Sequence, residues 1–105
     1  MFKFRKFRTM TEYDITLEEL LKMQKNGAFI VDVRNNREYS EEHIIGSINI
    51  AEYEIKEKFE RKIPNKKSII VLYCLSGNRS MQALKKLKKM GYMHVYNLYG
   101  GIENY

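Results

Sequence analysis

Residues 68–80 read Ser68-Ile-Ile-Val-Leu-Tyr-Cys74-Leu-Ser-Gly-Asn-Arg79-Ser80. An apolar run, strand-like in length, stops at the only cysteine of the chain. A polar glycine-containing loop follows, and then Ser80 to Met90 repeats apolar residues at helical spacing: Ala83, Leu84, Leu87 and Met90. This is a strand, a short loop and a helix. A continuous apolar strand is covered on both faces, as in a parallel sheet.

Further units of the same kind lie on either side. Tyr13-Asp14-Ile15 is a short strand-like piece. Thr16 and Glu19 form the spacing of a capping box, which starts a short helix that Asn26-Gly27 ends. Ala28 to Val33 is nearly all apolar and predicts a second covered strand. Residues 34–43 are polar and predict a loop with a helical turn, and Gly46 to Ile50 predicts a short strand. Ile55, Phe59 and Ile63 form one stripe of a helix over Glu54–Ile63, closed by Pro64-Asn65. Gly91 ends the helix over 80–90, and Val95 to Leu98 is the last strand. Alternating strands and helices joined by short loops predict an α/β fold with a mostly parallel central sheet of four to five strands and helices on both faces.

Composition narrows the function. A chain of 105 residues suits one domain and a real core without disulfides. One cysteine makes neither an internal disulfide nor a cysteine zinc cluster, and His43 and His94 stand 51 residues apart without ligand spacing. No metal and no cofactor are expected. A lone thiol fits a reducing, cytoplasmic compartment. No apolar run is long enough to span a membrane.

The net charge of +6 is uneven. Lys3, Arg5, Lys6 and Arg8 lie in residues 1–10, which hold no acid, leaving 15 basic and 13 acidic residues elsewhere. Residues 1–10 are therefore expected to be a basic N-terminal arm, and 11–105 the domain. The arm is too short to imply a nucleic-acid partner and reads first as a solvated leader or edge strand. The lysines at 85, 86, 88 and 89 read as a solvated helix face.

In parallel α/β sheets, ligands sit beyond the carboxyl ends of the strands, where Cys74 stands. A thiol is a good nucleophile as thiolate. A curled loop Leu75-Ser76-Gly77-Asn78 points backbone N–H groups at one spot, the following helix adds its positive end, and Arg79 adds a permanent charge. All three favour an anionic sulfur. The same residues also accommodate a small buried cysteine with no chemistry. Neither histidine has an evident place beside Cys74 as the base of a Cys–His pair.

Four motifs in order resemble the rhodanese-like single-domain sulfurtransferases, from about Ile15 to Tyr105. They are Ile30-Val31-Asp32-Val33-Arg34; Glu38-Tyr39 followed by His43 to Ile50; the loop Cys74 to Ser80; and Gly91-Tyr92 continuing through Val95 to Ile102. The chain departs from the family pattern at Glu42, where glycine is usual, at Ser47 in place of alanine, and at Tyr105 in place of tryptophan. The resemblance implies that Cys74 takes sulfur from thiosulfate or a persulfide donor and passes it to cyanide or a thiol acceptor, a small thiol or a thioredoxin-like protein. It implies that Leu75, Ser76, Gly77, Asn78 and Arg79 bind the sulfur anion, that Arg34 contacts the donor, and that Asp32 and Glu38 orient the loop arginine.

Two rivals stay open. One is a sulfur-carrier or interaction module inactive on thiosulfate. The other is a small-anion phosphatase or arsenate reductase of the same fold, whose loop is one residue longer than the four between Cys74 and Arg79.

Overall fold

A computed structural model describes residues 8–105. The expectation for the basic arm therefore falls mostly outside the described residues. Five strands form one sheet: β1 (Asp14–Ile15), β2 (Phe29–Asp32), β3 (Ile48–Asn49), β4 (Ile69–Tyr73) and β5 (His94–Leu98). Their order across the sheet is β1-β5-β4-β2-β3, and every pairing is parallel. The helices are α1 (Leu17–Lys25), α2 (Asn36–Glu41), α3 (Ile55–Lys62) and α4 (Asn78–Lys89), with single 3₁₀ turns at Glu52–Glu54 and Ile102–Asn104.

Strand side chains alternate between the two faces. Ile30, Val71 and Tyr73 pack with Leu20 of α1 in one cluster. Val31, Ile70, Leu72 and Cys74 pack with Ile55 and Phe59 of α3 and Leu84 and Leu87 of α4 in the other. Cys74 thus continues the alternation of β4 and falls on the α4 side. Burying each of the Val, Leu, Ile and Phe side chains among them stabilises the fold by about 1.5–3 kcal/mol before the entropy cost. Consecutive strands diverge around β2, since β3 lies on one side of it and β4 on the other. The crevice at the carboxyl ends of β2 and β4 is therefore where a ligand site belongs.

The capping box of α1 forms as its spacing predicts, with Thr16 accepting from the Glu19 N–H and Glu19 accepting from the Thr16 N–H. Two local expectations change. Residues 36–41 make a helix rather than a loop with one turn, because Asn35 and Glu38 form a second capping box. The helix after Cys74 starts at Asn78, not Ser80: Gly77 takes φ +98° as its N-cap, so Arg79 sits within the first turn.

Candidate active site

Cys74 follows the last residue of β4 and is fully buried. Its sulfur faces the start of α4. The Gly77 N–H donates to Sγ at 3.1 Å and the Ser80 N–H at 3.4 Å, while the Ser80 hydroxyl lies 3.4 Å away. Two backbone donors at a helix N-terminus stabilise negative charge on sulfur. The other loop residues, Leu75, Ser76 and Asn78, lie partly or fully exposed above it.

The loop is held from beneath by the segment after β5. The Ile102 N–H donates to the Cys74 carbonyl at 2.9 Å and the Glu103 N–H to the Leu75 carbonyl at 3.0 Å. The approach is so close that a Cβ on Gly101 would lie 2.2 Å from the Leu75 oxygen. Gly101 also adopts φ 72° and ψ 176°, a region essentially reserved for glycine.

Of the two acids expected to orient the loop arginine, Glu38 alone pairs with it. Glu38, in the first turn of α2, makes a two-pronged pair with Arg79 at 2.7 and 3.0 Å. The Arg79 guanidinium holds the Glu38 carboxyl below its ordinary range, and Glu38 raises Arg79 in turn. Asp32 instead pairs with Arg34, whose Nε lies 3.1 Å from both carboxylate oxygens and whose Nη2 lies 2.7 Å from Oδ2. The reason is local: Asp32 also accepts from the Arg34 N–H at 2.8 Å, so the chain turns back on itself at the strand end. Arg34 further donates to the Glu42 carbonyl at 2.6 Å. It lines a cleft of about 260 Å³ with Glu42, Leu75, Ile102, Glu103 and Tyr105, which places it beside the active loop.

Two departures from the family pattern are accommodated simply. Glu42 has an extended backbone with φ −164°, so its position makes no demand for glycine. The Ser47 hydroxyl donates to the Ile44 carbonyl at 2.6 Å and lies 3.3 Å from the Tyr73 hydroxyl. Burial pushes Tyr73 up to about 12, so its hydroxyl keeps its proton and can donate to Ser47. His43 is exposed, stacks on Tyr39 at 3.8 Å and has Nδ1 2.7 Å from the Tyr39 carbonyl. His94 begins β5, at the opposite end of the sheet from Cys74.

The sequence reading missed a polar chain behind the sulfur. Ser80, Asn97 and Asp14 are buried. The Ser80 hydroxyl bonds to Asn97 Oδ1, and Asn97 Nδ2 donates to Asp14 Oδ1 at 2.9 Å. Asp14 takes two further bonds from the Arg8 guanidinium and two from Thr11. Burial alone would raise the Asp14 carboxyl, but these donors outweigh it and hold the group well below the ordinary carboxylate range. The available signal was a polar residue inside each of two apolar strands, Asp14-Ile15 and Val95-Tyr96-Asn97-Leu98. Among the described residues no three His, Cys, Asp or Glu side chains gather as metal ligands would. Among the same residues no helix is long and apolar enough to cross a membrane.

The chain is similar to several known proteins. The family described as rhodanese-like domain matches residues 16–105. The thiosulfate sulfurtransferase PspE of Escherichia coli (strain K12) is 40% identical over 74 residues, which cover 70% of this chain and 70% of that protein. The thiosulfate sulfurtransferase GlpE of Coxiella burnetii is 30% identical over 83 residues, covering 79% of this chain and 76% of that one. Among solved structures, a rhodanese-related protein from Thermoplasma volcanium superposes with a TM-score of 0.75 at 31% identity, covering 87% of each chain. The matched stretch runs from the N-cap of α1 to the last 3₁₀ turn and contains both the Cys74 loop and the segment that supports it, so the chain belongs to the family of rhodanese-like domains.

Proposed function

We propose that this chain is a sulfurtransferase that carries sulfane sulfur on Cys74. The Cys74 thiolate attacks the outer sulfur of thiosulfate or of a persulfide donor. The donor's S–S bond breaks, its electron pair leaves with sulfite or the donor thiolate, and Cys74 keeps one sulfur as a persulfide. A thiolate acceptor or cyanide then attacks that outer sulfur, and the electron pair returns to Sγ. Atoms and electrons balance over the two steps without a further group.

One observation carries the reading: the sulfur lies at the carboxyl end of β4, under two backbone N–H donors at the start of α4. Leu75, Ser76, Gly77, Asn78 and Arg79 form the rim that meets the anionic sulfur, with Glu38 fixing Arg79. Arg34 meets the donor from the adjoining cleft, and Asp32 fixes Arg34. The relatives named as thiosulfate sulfurtransferases support the choice of donor. Residues 11–105 are the domain, and Arg8, from the basic run that precedes it, is bonded to it through Asp14. A free thiol nucleophile suits the cytoplasm.

The test is to incubate the protein with thiosulfate and weigh it intact. The expected product is one sulfur atom heavier, and it is absent from Cys74→Ser. Loading by a persulfide but not by thiosulfate identifies a carrier module instead. Failure with every sulfane donor rejects the sulfurtransferase reading, and hydrolysis of an aryl phosphate in its place would point to the phosphatase.

A further inference from the structure

Every donor in the buried chain behind Cys74 can be assigned a direction. Asp14 is ionised and only accepts, so the Asn97 amide must turn its NH₂ towards it. Asn97 Oδ1 is then the atom that meets Ser80. The Ser80 hydroxyl has one proton and three neighbours: Asn97 Oδ1, the Gly77 carbonyl at 3.1 Å and Cys74 Sγ at 3.4 Å. The Gly77 carbonyl already accepts from the Met81 N–H at 3.2 Å. Asn97 is fully buried, and Ser80 is the donor that reaches its oxygen. The proton therefore belongs to Asn97, and the hydroxyl turns a lone pair, not a proton, towards the sulfur.

We propose that Asn97, oriented by Asp14, is a positioning residue that withholds the Ser80 hydroxyl proton from Cys74 and so makes the enzyme retain its sulfur. The inference rests on the sulfurtransferase reading. In the persulfide the charge sits on the outer sulfur, and Sγ is a neutral sulfide that asks nothing of Ser80. On transfer, the acceptor forms its bond to the outer sulfur, the S–S bond breaks and the electron pair collects on Sγ. That nascent thiolate receives the Gly77 and Ser80 N–H donors but faces a lone pair at Ser80. Turning the hydroxyl towards it would strip a buried oxygen of its donor. The loaded state escapes this penalty, so the sulfur waits for a good acceptor.

The test measures single-turnover unloading of preloaded protein by cyanide, read as thiocyanate, in which a C–S bond forms and the S–S bond breaks. Cyanide is small and needs no docking surface. In Asn97→Ala the hydroxyl is free to serve the leaving thiolate, and unloading is expected to quicken about five- to tenfold, the value of one hydrogen bond. A merely structural lesion would slow the step. In Ser80→Ala the further change Asn97→Ala is expected to do nothing, because the route through Ser80 is gone. Asp14→Ala supplies a second variant: it removes the acceptor that fixes the Asn97 amide, which can then turn its NH₂ to the Ser80 oxygen and free the same proton, so its unloading also quickens. An unchanged or slower rate in both single variants overturns the inference, as does an acceleration by Asn97→Ala that persists in Ser80→Ala. Failure of the parent protein to load any sulfur rejects the underlying reading, which is a different result from a parent that loads while its variants unload no faster.

Discussion

Gly101→Ala tests whether the segment after β5 holds the active loop in place. An added Cβ would lie 2.2 Å from the Leu75 oxygen, 2.4 Å from its carbonyl carbon and 2.5 Å from the Ser76 nitrogen. Non-bonded contact needs about 3.3 Å, so backbone must move by roughly 1 Å. The glycine-only backbone region adds about 1–3 kcal/mol of strain. If the 3₁₀ turn undocks to relieve the clash, the bonds from Ile102 to Cys74 and from Glu103 to Leu75 are lost, at about 0.5–1.5 kcal/mol each. Strain and the two lost bonds together cost about 2–6 kcal/mol, which at this chain length is a melting decrease on the order of 10–45 °C. On the proposed mechanism, a displacement of about 1 Å beside Cys74 lowers the transfer rate about 10²-fold. Thermal melts and single-turnover sulfur transfer measure the two effects. The control is Gly91→Ala, which also has positive φ (93°) but no atom within 4 Å of an added Cβ. It should lose only about 1 kcal/mol and keep its rate. If Gly101→Ala melts with Gly91→Ala and transfers sulfur at the parental rate, the loop does not depend on this support.

Other expectations are simpler. Glu38→Gln should slow persulfide formation by loosening Arg79, while changing stability by less than about 1 kcal/mol because the pair is partly exposed. Arg79→Ala should also slow loading with the fold kept; loss of the fold, seen by circular dichroism, would make Arg79 a structural residue. Asp14 has its carboxyl depressed in the folded state, so its contribution is complete above its ordinary value near ~3.9 and is lost as pH falls below that. Asp14→Asn should therefore cost about 3 kcal/mol at neutral pH and flatten the acid limb of the stability curve; an unchanged limb in urea titrations would refute this. Tyr92→Phe removes the hydroxyl that donates to the buried Ile63 carbonyl at 2.6 Å and should lower stability by about 1–3 kcal/mol in the same titrations.

How much could be read from the chain depends on how far apart the interacting residues lie. Thr16 and Glu19 announce α1 because a capping box is local. Asn35 and Glu38 have the same spacing, but α2 buries nothing, so no apolar period drew attention to it. Cys74 and Arg79 were legible because one short segment holds both. The start of α4 was misplaced by two residues because a glycine N-cap gives no side-chain signal. Asp32 and Glu38 could be named but not paired: only the turn at the end of β2 decides that Asp32 takes Arg34. Ser80, Asn97 and Asp14 were beyond reach, since Asn97 and Asp14 are 83 residues apart and meet only through the strand order.

That order has a consequence for synthesis. Among the described residues β1 pairs only with β5, and β5 inserts between β1 and β4, so the one described partner of β1 is the last strand to emerge from the ribosome. The Cys74 loop waits even longer, for Gly101 to Glu103 to dock beneath it. A nascent chain halted at residue 99 carries the thiol and Arg79 without the support that shapes their loop, so competence for sulfur chemistry arrives with the last turn of the domain.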